Sequence, residues 1–242
     1  ILPFELADSE YVGKLPIGSM DVIANVTREE LIDFYKQWYR PENISIVVTG
    51  DVEAKSVQEL IKSTMKDIPA SAKKVSPVRG YVPVRTEKDA LIFSDPEMPY
   101  AQVQLLAKDE NYRPIKTEED LKSRYLTSFA NDVFNSRLAE TIANPQTAWL
   151  SAYPVNYHET NTSVFNGVLF VPKDDCFTEA FKQMIEEIDR LLLFGVTQSE
   201  FDREKDSIIA KEKSWYDKKE TISSADRAEE LVRHSLTGEA YL

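Results

Sequence analysis

Apolar residues near the start of the chain recur with the period of an amphipathic helix. They are Leu31, Phe34, Tyr35 and Trp38, at i, i+3, i+4 and i+7. Thr27 and Glu30 have the spacing of a capping box, in which each side chain bonds the backbone of the other residue. Pro41 disfavours helical geometry in the residue before it and marks the helix end. The pattern predicts that Phe34, Tyr35 and Trp38 are core residues.

Short apolar runs predict strands farther along. The predicted strands are residues 44–49, 90–94, 101–107, 148–157 and 163–171. Residues 44–49 are β-branched and nearly all apolar, which is typical of a strand buried on both faces. Asp95 and Pro96 favour a turn between the second and third of these strands.

Further amphipathic stretches predict later helices. These begin near Val57, after Thr117, near Phe177, at Thr197 and near Ser224. Thr197 and Glu200 repeat the capping-box spacing, and Gly195 and Gly238 stand where helices commonly end. Strands joined by short turns favour antiparallel pairing. The predicted fold class is therefore α+β, a two-layer α/β arrangement of mainly antiparallel sheets covered by helices.

Residues 69–85 have no hydrophobic period and carry three prolines, which predicts a linker. A chain of 242 residues is long enough for two units of modest size. It begins with Ile1 rather than Met, and we expect it to be a portion of a longer protein.

The net charge of −12 argues against nucleic acid as a partner, because binding to phosphates depends on basic residues. Acidic and basic residues are interleaved along the helices, as on a solvated helix face. No apolar run approaches the ~20 residues that span a bilayer, so no membrane span is predicted.

The residue types that bind metals are sparse. His158, His234 and Cys176 are far apart in sequence, and neither histidine has the close Glu and His partners of a zinc-binding helix. Glu159 beside His158 is the nearest approach to such a pair. Cys176 stands near a predicted helix start and is interpreted as a packing residue. The residues therefore predict no catalytic and no metal-binding site in this chain.

Several motifs resemble, in order, those of the pitrilysin/insulinase superfamily of zinc peptidases. They are residues 14–18 (Lys-Leu-Pro-Ile-Gly), 26–52, Asn135-Ser136-Arg137-Leu138, the stretch from Gly195 to Lys205, and the ending from Ser223 to Glu239. The resemblance covers nearly the whole chain. The closing stretch is similar to that of bacterial members whose chains contain four such units.

The resemblance implies a division of the chain. Residues 1–78 correspond to the C-terminal part of a first, catalytic-type unit, and residues 79–242 to the N-terminal part of a second, inactive unit. The family binds zinc through His-x-x-Glu-His and a distal Glu, all of which would precede Ile1. The Arg–Tyr pair that many members use to hold the substrate is missing at the matching positions, residues 139–149. No substrate-binding residue is assigned.

The first functional hypothesis is a non-catalytic, chamber-forming region of a zinc endopeptidase that cleaves peptides or unfolded segments. Its partners would be that substrate and the other units of the same chain. The resemblance favours a bacterial periplasm or cell envelope. An alternative is a scaffold subunit of the same superfamily that has lost zinc, and a third is an unrelated α+β binding module.

Overall fold

A computed structural model describes residues 1–14, 16–70, 80–85, 87–109, 113–160 and 162–241. The helices in these ranges are α1 (Leu2–Glu5), α2 (Met20–Asn25), α3 (Arg28–Trp38), α4 (Ala54–Met65), α5 (Glu118–Ile142), α6 (Phe177–Phe194), α7 (Gln198–Asp217) and α8 (Ser224–Thr237). The strands are β1 (Val103–Asp109), β2 (Trp149–Thr160) and β3 (Ser163–Pro172). Helices packed on an antiparallel sheet confirm the predicted α+β class.

Side-chain caps fix the starts of α3, α5 and α7. Thr27, Thr117 and Thr197 each accept a hydrogen bond from a backbone amide in the first turn, and an acidic side chain in that turn bonds back. Each box satisfies amides that would otherwise lack a partner in the helix. The two boxes predicted at Thr27 and Thr197 are confirmed. None of the helices in the described ranges is both long enough and apolar enough to cross a bilayer.

The sheet has the order β1-β3-β2, with both pairs antiparallel. The register places Val168 opposite Leu105 and Pro154, and Phe170 opposite Val103 and Ala152. Because side chains alternate along a strand, Val168 and Phe170 share one face. α5 and α6 cover that face, and the buried residues between the layers are Phe134, Leu138, Ala148, Trp149, Ala152, Val168, Phe170, Ala180 and Met184.

Gly167 allows β3 to approach β1 closely. A Cβ atom at this position would lie 1.9 Å from the carbonyl oxygen of Leu105, which belongs to the backbone and cannot rotate away. Glycine within a strand commonly marks such a close approach.

The N-terminal segment lies against the other face of the sheet. The Tyr157 hydroxyl donates a 2.7 Å hydrogen bond to the Glu5 carboxylate of α1, and the Tyr157 ring stacks on Phe165. Burial, followed by the bond to Glu5, raises the pKa of Tyr157. Lys108 lies over the Phe165 ring. These contacts connect the first residues of the chain to β1, β2 and β3.

The predicted core role of the α3 aromatics is wrong. Phe34 and Tyr35 are 56% and 58% exposed, and Trp38 is only half-buried. The helix itself forms as predicted, but an amphipathic face is buried only when another element covers it. Among the described residues no element covers the face that carries Phe34 and Tyr35.

Two predicted strands are also corrected. Residues 44–49 and 90–94 have no strand structure, and most of their side chains are exposed. A strand requires a partner for its backbone groups, and the described residues supply none for these two segments. The strands predicted at 101–107, 148–157 and 163–171 are confirmed as β1, β2 and β3.

Parts of the other predictions lie outside the described residues. The predicted linker, residues 69–85, includes 71–79, and the boundary between residues 78 and 79 falls in that range. Leu15 of the first motif also lies outside the described residues.

Candidate functional site

The structure brings together the two motifs around Arg137 and Glu200. Arg137 lies on α5 next to Leu138, which is fully buried in the core. The Arg137 Nη2 donates a 2.7 Å hydrogen bond to one Glu200 carboxylate oxygen, and Nε donates to the other. Their side chains are only 13% and 15% exposed. This is a bidentate, charge-assisted pair in a largely buried position.

Arg137 also binds the end of α6. Its Nη2 donates a 2.7 Å hydrogen bond to the backbone carbonyl of Gly195. Gly195 ends the helix with φ of 67°, in the region that favours glycine. A cation at this point complements the negative end of the helix dipole. One guanidinium therefore connects α5, the end of α6 and the start of α7.

Glu200 has a second role as the third residue of α7. Its Oε2 accepts 2.8 Å hydrogen bonds from the Thr197 amide and the Thr197 hydroxyl. The hydrogen bonds from Arg137, with those from Thr197, lower the pKa of Glu200 to about 2, although burial opposes this shift. The same carboxylate raises the pKa of Arg137.

A second layer of polar contacts extends the cluster toward solvent. The Ser136 hydroxyl donates a 2.8 Å hydrogen bond to Glu204, one turn after Glu200 on α7. Arg203 contacts Glu204 at 3.1 Å and Glu140 at 3.3 Å. On the apolar side of the same interface, the rings of Phe129 and Phe201 lie 5.2 Å apart. α5 and α7 are thus joined by polar and aromatic contacts along several turns.

This arrangement is suited to holding helices and not to acid–base chemistry. A general base works best when its pKa lies near the operating pH. Glu200 is far below that range, and its oxygens already accept hydrogen bonds from Arg137 and Thr197.

The structure places the candidate metal-binding residues on separate elements. His158 lies on β2, His234 in the last turn of α8 and Cys176 at the N-terminal end of α6. The His234 Nδ1 is 2.5 Å from the carbonyl oxygen of Glu239. In the ranges that the structure describes, no three His, Cys, Asp or Glu side chains are arranged to hold a metal ion. These residues therefore do not fit a zinc ion.

The fold and the Arg137–Glu200 cluster together define an α+β unit stabilised by a buried ion pair between helices. A family model described as "Peptidase M16 inactive domain" matches residues 25–208. The chain belongs to this family.

Individual relatives agree with the family match. The chain is 25% identical over 206 residues to the Haemophilus influenzae protein named "Probable zinc protease PqqL", covering 83% of this chain and 22% of the relative. The Escherichia coli protein of the same name is 41% identical over 69 residues, which are 28% of this chain and 7% of the relative.

A solved structure shares the fold. The crystal structure of the periplasmic protease PqqL from Escherichia coli superposes with a TM-score of 0.86 and 23% identity, over 99% of this chain and 26% of that one. The chain thus spans about a quarter of the length of the structure and of the Haemophilus relative.

The sequence contained both halves of the ion pair, but their contact was not predicted. The capping-box spacing predicts Glu200 as a capping residue, and Arg137 stands in the motif of residues 135–138. One further signal was present, because Arg137 stands between the apolar positions Phe134 and Leu138 of α5. A charged residue beside a core stripe requires a partner, and Glu200 supplies it.

Proposed function

We propose that this chain is a non-catalytic, chamber-forming region of a zinc-dependent endopeptidase that cleaves peptides or unfolded segments. Membership of the M16 inactive-domain family supports a non-catalytic role, and the relatives named zinc protease support a peptidase as the whole protein. In this proposal the peptidase activity, the chamber and the substrate class belong to a longer protein, because the chain spans about a quarter of the length of the relatives it matches.

The Arg137–Glu200 pair is the observation that carries the proposal. The charged groups of two family motifs bind each other instead of facing an open cavity. A wall of a chamber must keep its helices in fixed positions. Arg137 does this by pairing with Glu200 of α7 and by donating a hydrogen bond to the Gly195 carbonyl at the end of α6. A carboxylate with a pKa of about 2 contributes structure and is a poor proton acceptor at neutral pH.

We further propose that residues 1–78 complete a first, catalytic-type unit and that residues 79–242 open a second, inactive unit. The order of the family motifs along the chain supports this division. The family match over residues 25–208 spans the boundary. In this arrangement zinc is bound by a part of the protein outside this chain. The named periplasmic relative supports a bacterial periplasm as the compartment.

Metal analysis and a cleavage assay on the full-length protein test the function. We expect bound zinc and chelator-sensitive cleavage of an unstructured peptide. A full-length variant with His158→Ala, Cys176→Ala and His234→Ala should retain both, because these residues are not zinc ligands in this proposal. Its unfolding midpoint serves as the control for folding.

Each result decides one part of the proposal. Loss of zinc from a folded triple variant would show that this chain supplies metal ligands. Chelator-sensitive cleavage by the 242-residue chain alone would overturn the non-catalytic role. A folded full-length protein without zinc or cleavage would replace the peptidase with the scaffold alternative.

A further inference from the structure

The second face of the sheet, on the side away from α5 and α6, carries a patch of aromatic and cationic side chains. Phe165 of β3 is buried, and the ring of Tyr157 from β2 stacks on it with the centroids 5.3 Å apart. Lys108 of β1 lies over the same Phe165 ring and donates a 3.2 Å hydrogen bond to the carbonyl of Pro83. Three strands thus present an aromatic pair flanked by two donors, the Tyr157 hydroxyl and the Lys108 ammonium group.

The first residues of the chain lie against this patch through two buried side chains. Glu5 and Leu6 are only 6% and 7% exposed, and the Glu5 carboxylate accepts the 2.7 Å hydrogen bond from the Tyr157 hydroxyl. A carboxylate buried to this extent requires such a donor. Burial and the bond to Glu5 raise the pKa of Tyr157, so the hydroxyl keeps the proton that it donates.

Further contacts hold the segment on both sides of Glu5 and Leu6. The Arg85 guanidinium lies 5.7 Å from the centre of the Phe4 ring and pairs with the Asp8 carboxylate at 3.1 Å. The Tyr11 hydroxyl accepts a 2.8 Å hydrogen bond from the Gly80 amide. The contacts therefore extend from α1 to Tyr11, and all of them reach residues that follow the predicted linker or lie at its end.

Charge and local structure both favour this placement of residues 2–11, which we call the N-terminal strap. The strap carries three acidic residues and no basic one, whereas Arg85 and Lys108 lie beside it. Its helix, α1, has four residues and no side-chain cap. An isolated helix shorter than about 12 residues is marginal in water, so contact with the sheet must stabilise α1.

Most contacts of the strap are polar or lie near solvent. Asp8 and Arg85 are 68% and 34% exposed in their side chains, and Leu6 is the one strap residue with a buried apolar side chain. Segments with few buried apolar contacts open at a lower free energy than the core of the same protein.

We propose that the second face of the sheet is a docking surface for the N-terminal strap, and that the strap docks and releases as one unit while the sheet stays folded. α1 forms only in the docked state. Tyr157 is the positioning residue, because it supplies the donor for the buried Glu5 carboxylate. In the proposed division between residues 78 and 79, the docked strap fixes the first unit on the second, and only this last statement rests on the proposed function.

Hydrogen exchange of the Leu6 amide, which donates to the Leu2 carbonyl in α1, measures docking. Tyr157→Phe removes the donor to the buried Glu5 carboxylate and should speed this exchange at least about 10-fold. Tyr153→Phe is the matched control, since Tyr153 lies on the same face of β2 and is 45% exposed. It should change the rate by less than about twofold. An unprotected Leu6 amide in the unaltered chain, or equal rates in the two variants, would overturn the proposal.

A second pair of amides tests release as one unit. The Gly80 amide donates to Tyr11, so one opening should expose it together with the Leu6 amide, and Tyr157→Phe should speed both by the same factor. The Phe170 amide of the central strand should exchange at least about 100-fold more slowly than either in the unaltered chain. A Gly80 rate that ignores Tyr157→Phe, or a Leu6 rate as slow as that of Phe170, would contradict release of the strap as a separate unit.

The dependence on protein concentration identifies the docked segment. The exchange rates should not change over a roughly 100-fold dilution, because the strap and its surface belong to the same chain. Faster exchange on dilution would assign the docked strap to a second copy and overturn the proposal. None of these measurements depends on zinc or cleavage. An inactive full-length protein with a protected Leu6 amide would thus refute the proposed function and leave the docked strap intact.

Discussion

At the scale of single residues, Arg137 shows how a charge is kept in a largely buried position. Removing a guanidinium from water is costly, and the cost is offset only by good geometry and by partners for the remaining donors. Arg137 has both, because Glu200 accepts two hydrogen bonds and the Gly195 carbonyl accepts a third. Lysine could not reproduce this fork of donors.

Replacement of Arg137 should therefore destabilise the folded chain. We expect Arg137→Met to lower the free energy of unfolding by about 3 kcal/mol, because it leaves the Glu200 carboxylate buried with only its Thr197 partners. Lys182→Met on α6 is the matched control. Lys182 and its partner Glu186 are both more than half-exposed, so its loss should cost less than about 1 kcal/mol. Denaturant unfolding of both variants measures the difference, and equal losses would show that burial of the pair contributes nothing.

Glu200 should make the stability depend on pH in the acid range. Its folded-state pKa is lowered from 4.5 to about 2, so the folded state favours the charged carboxylate. The stabilisation is fully present above pH 4.5 and is lost as the pH falls toward 2. Unfolding of the parent chain and of Glu200→Gln, measured between pH 7 and pH 2, should give free energies that converge as the pH falls. A constant difference between the two across this window would contradict the assigned cause.

At the scale of elements, local signals predicted the helices better than the strands. Thr27 and Thr197 specify helix starts through contacts within four residues, and both starts are confirmed. Residues 44–49 have an equally clear apolar pattern, yet a strand forms only where distant chain supplies a partner. The same limit explains Phe34 and Tyr35, whose periodicity predicts a helix face but not what covers it. The contact between Arg137 and Glu200 is also non-local, since 63 residues separate them.

The contact between β1 and β3 should depend on the absence of a side chain at Gly167. Gly167→Ala would place Cβ 1.9 Å from the Leu105 oxygen, so the strands must separate. We expect a loss of about 1–3 kcal/mol in unfolding free energy. Unfolding of Gly167→Ala and of the unaltered chain in denaturant measures this loss, and equal free energies would show that the sheet adjusts freely.

At the scale of the whole molecule, the chain has one well-packed layer and a large uncovered surface. The sheet, α5 and α6 enclose the core, whereas α2, α3 and residues 44–49 expose apolar side chains. Burial of surface drives folding, so a chain that leaves this much exposed gains less from it than a compact protein of equal mass.

The denaturant dependence of unfolding should report this incomplete burial. The slope of unfolding free energy against denaturant scales with the surface newly exposed on unfolding. With 18227 Å² already exposed in the folded chain, the area released is roughly three-quarters of that for a compact protein of the same mass. We therefore expect a slope of about three-quarters of the usual value for 242 residues. A compact single-chain protein of similar mass, unfolded in the same denaturant, provides the reference. A slope equal to that of the compact reference would mean that the chain buries its exposed face, either against itself or against a second copy. Measurement of the molecular mass in solution would distinguish these two cases.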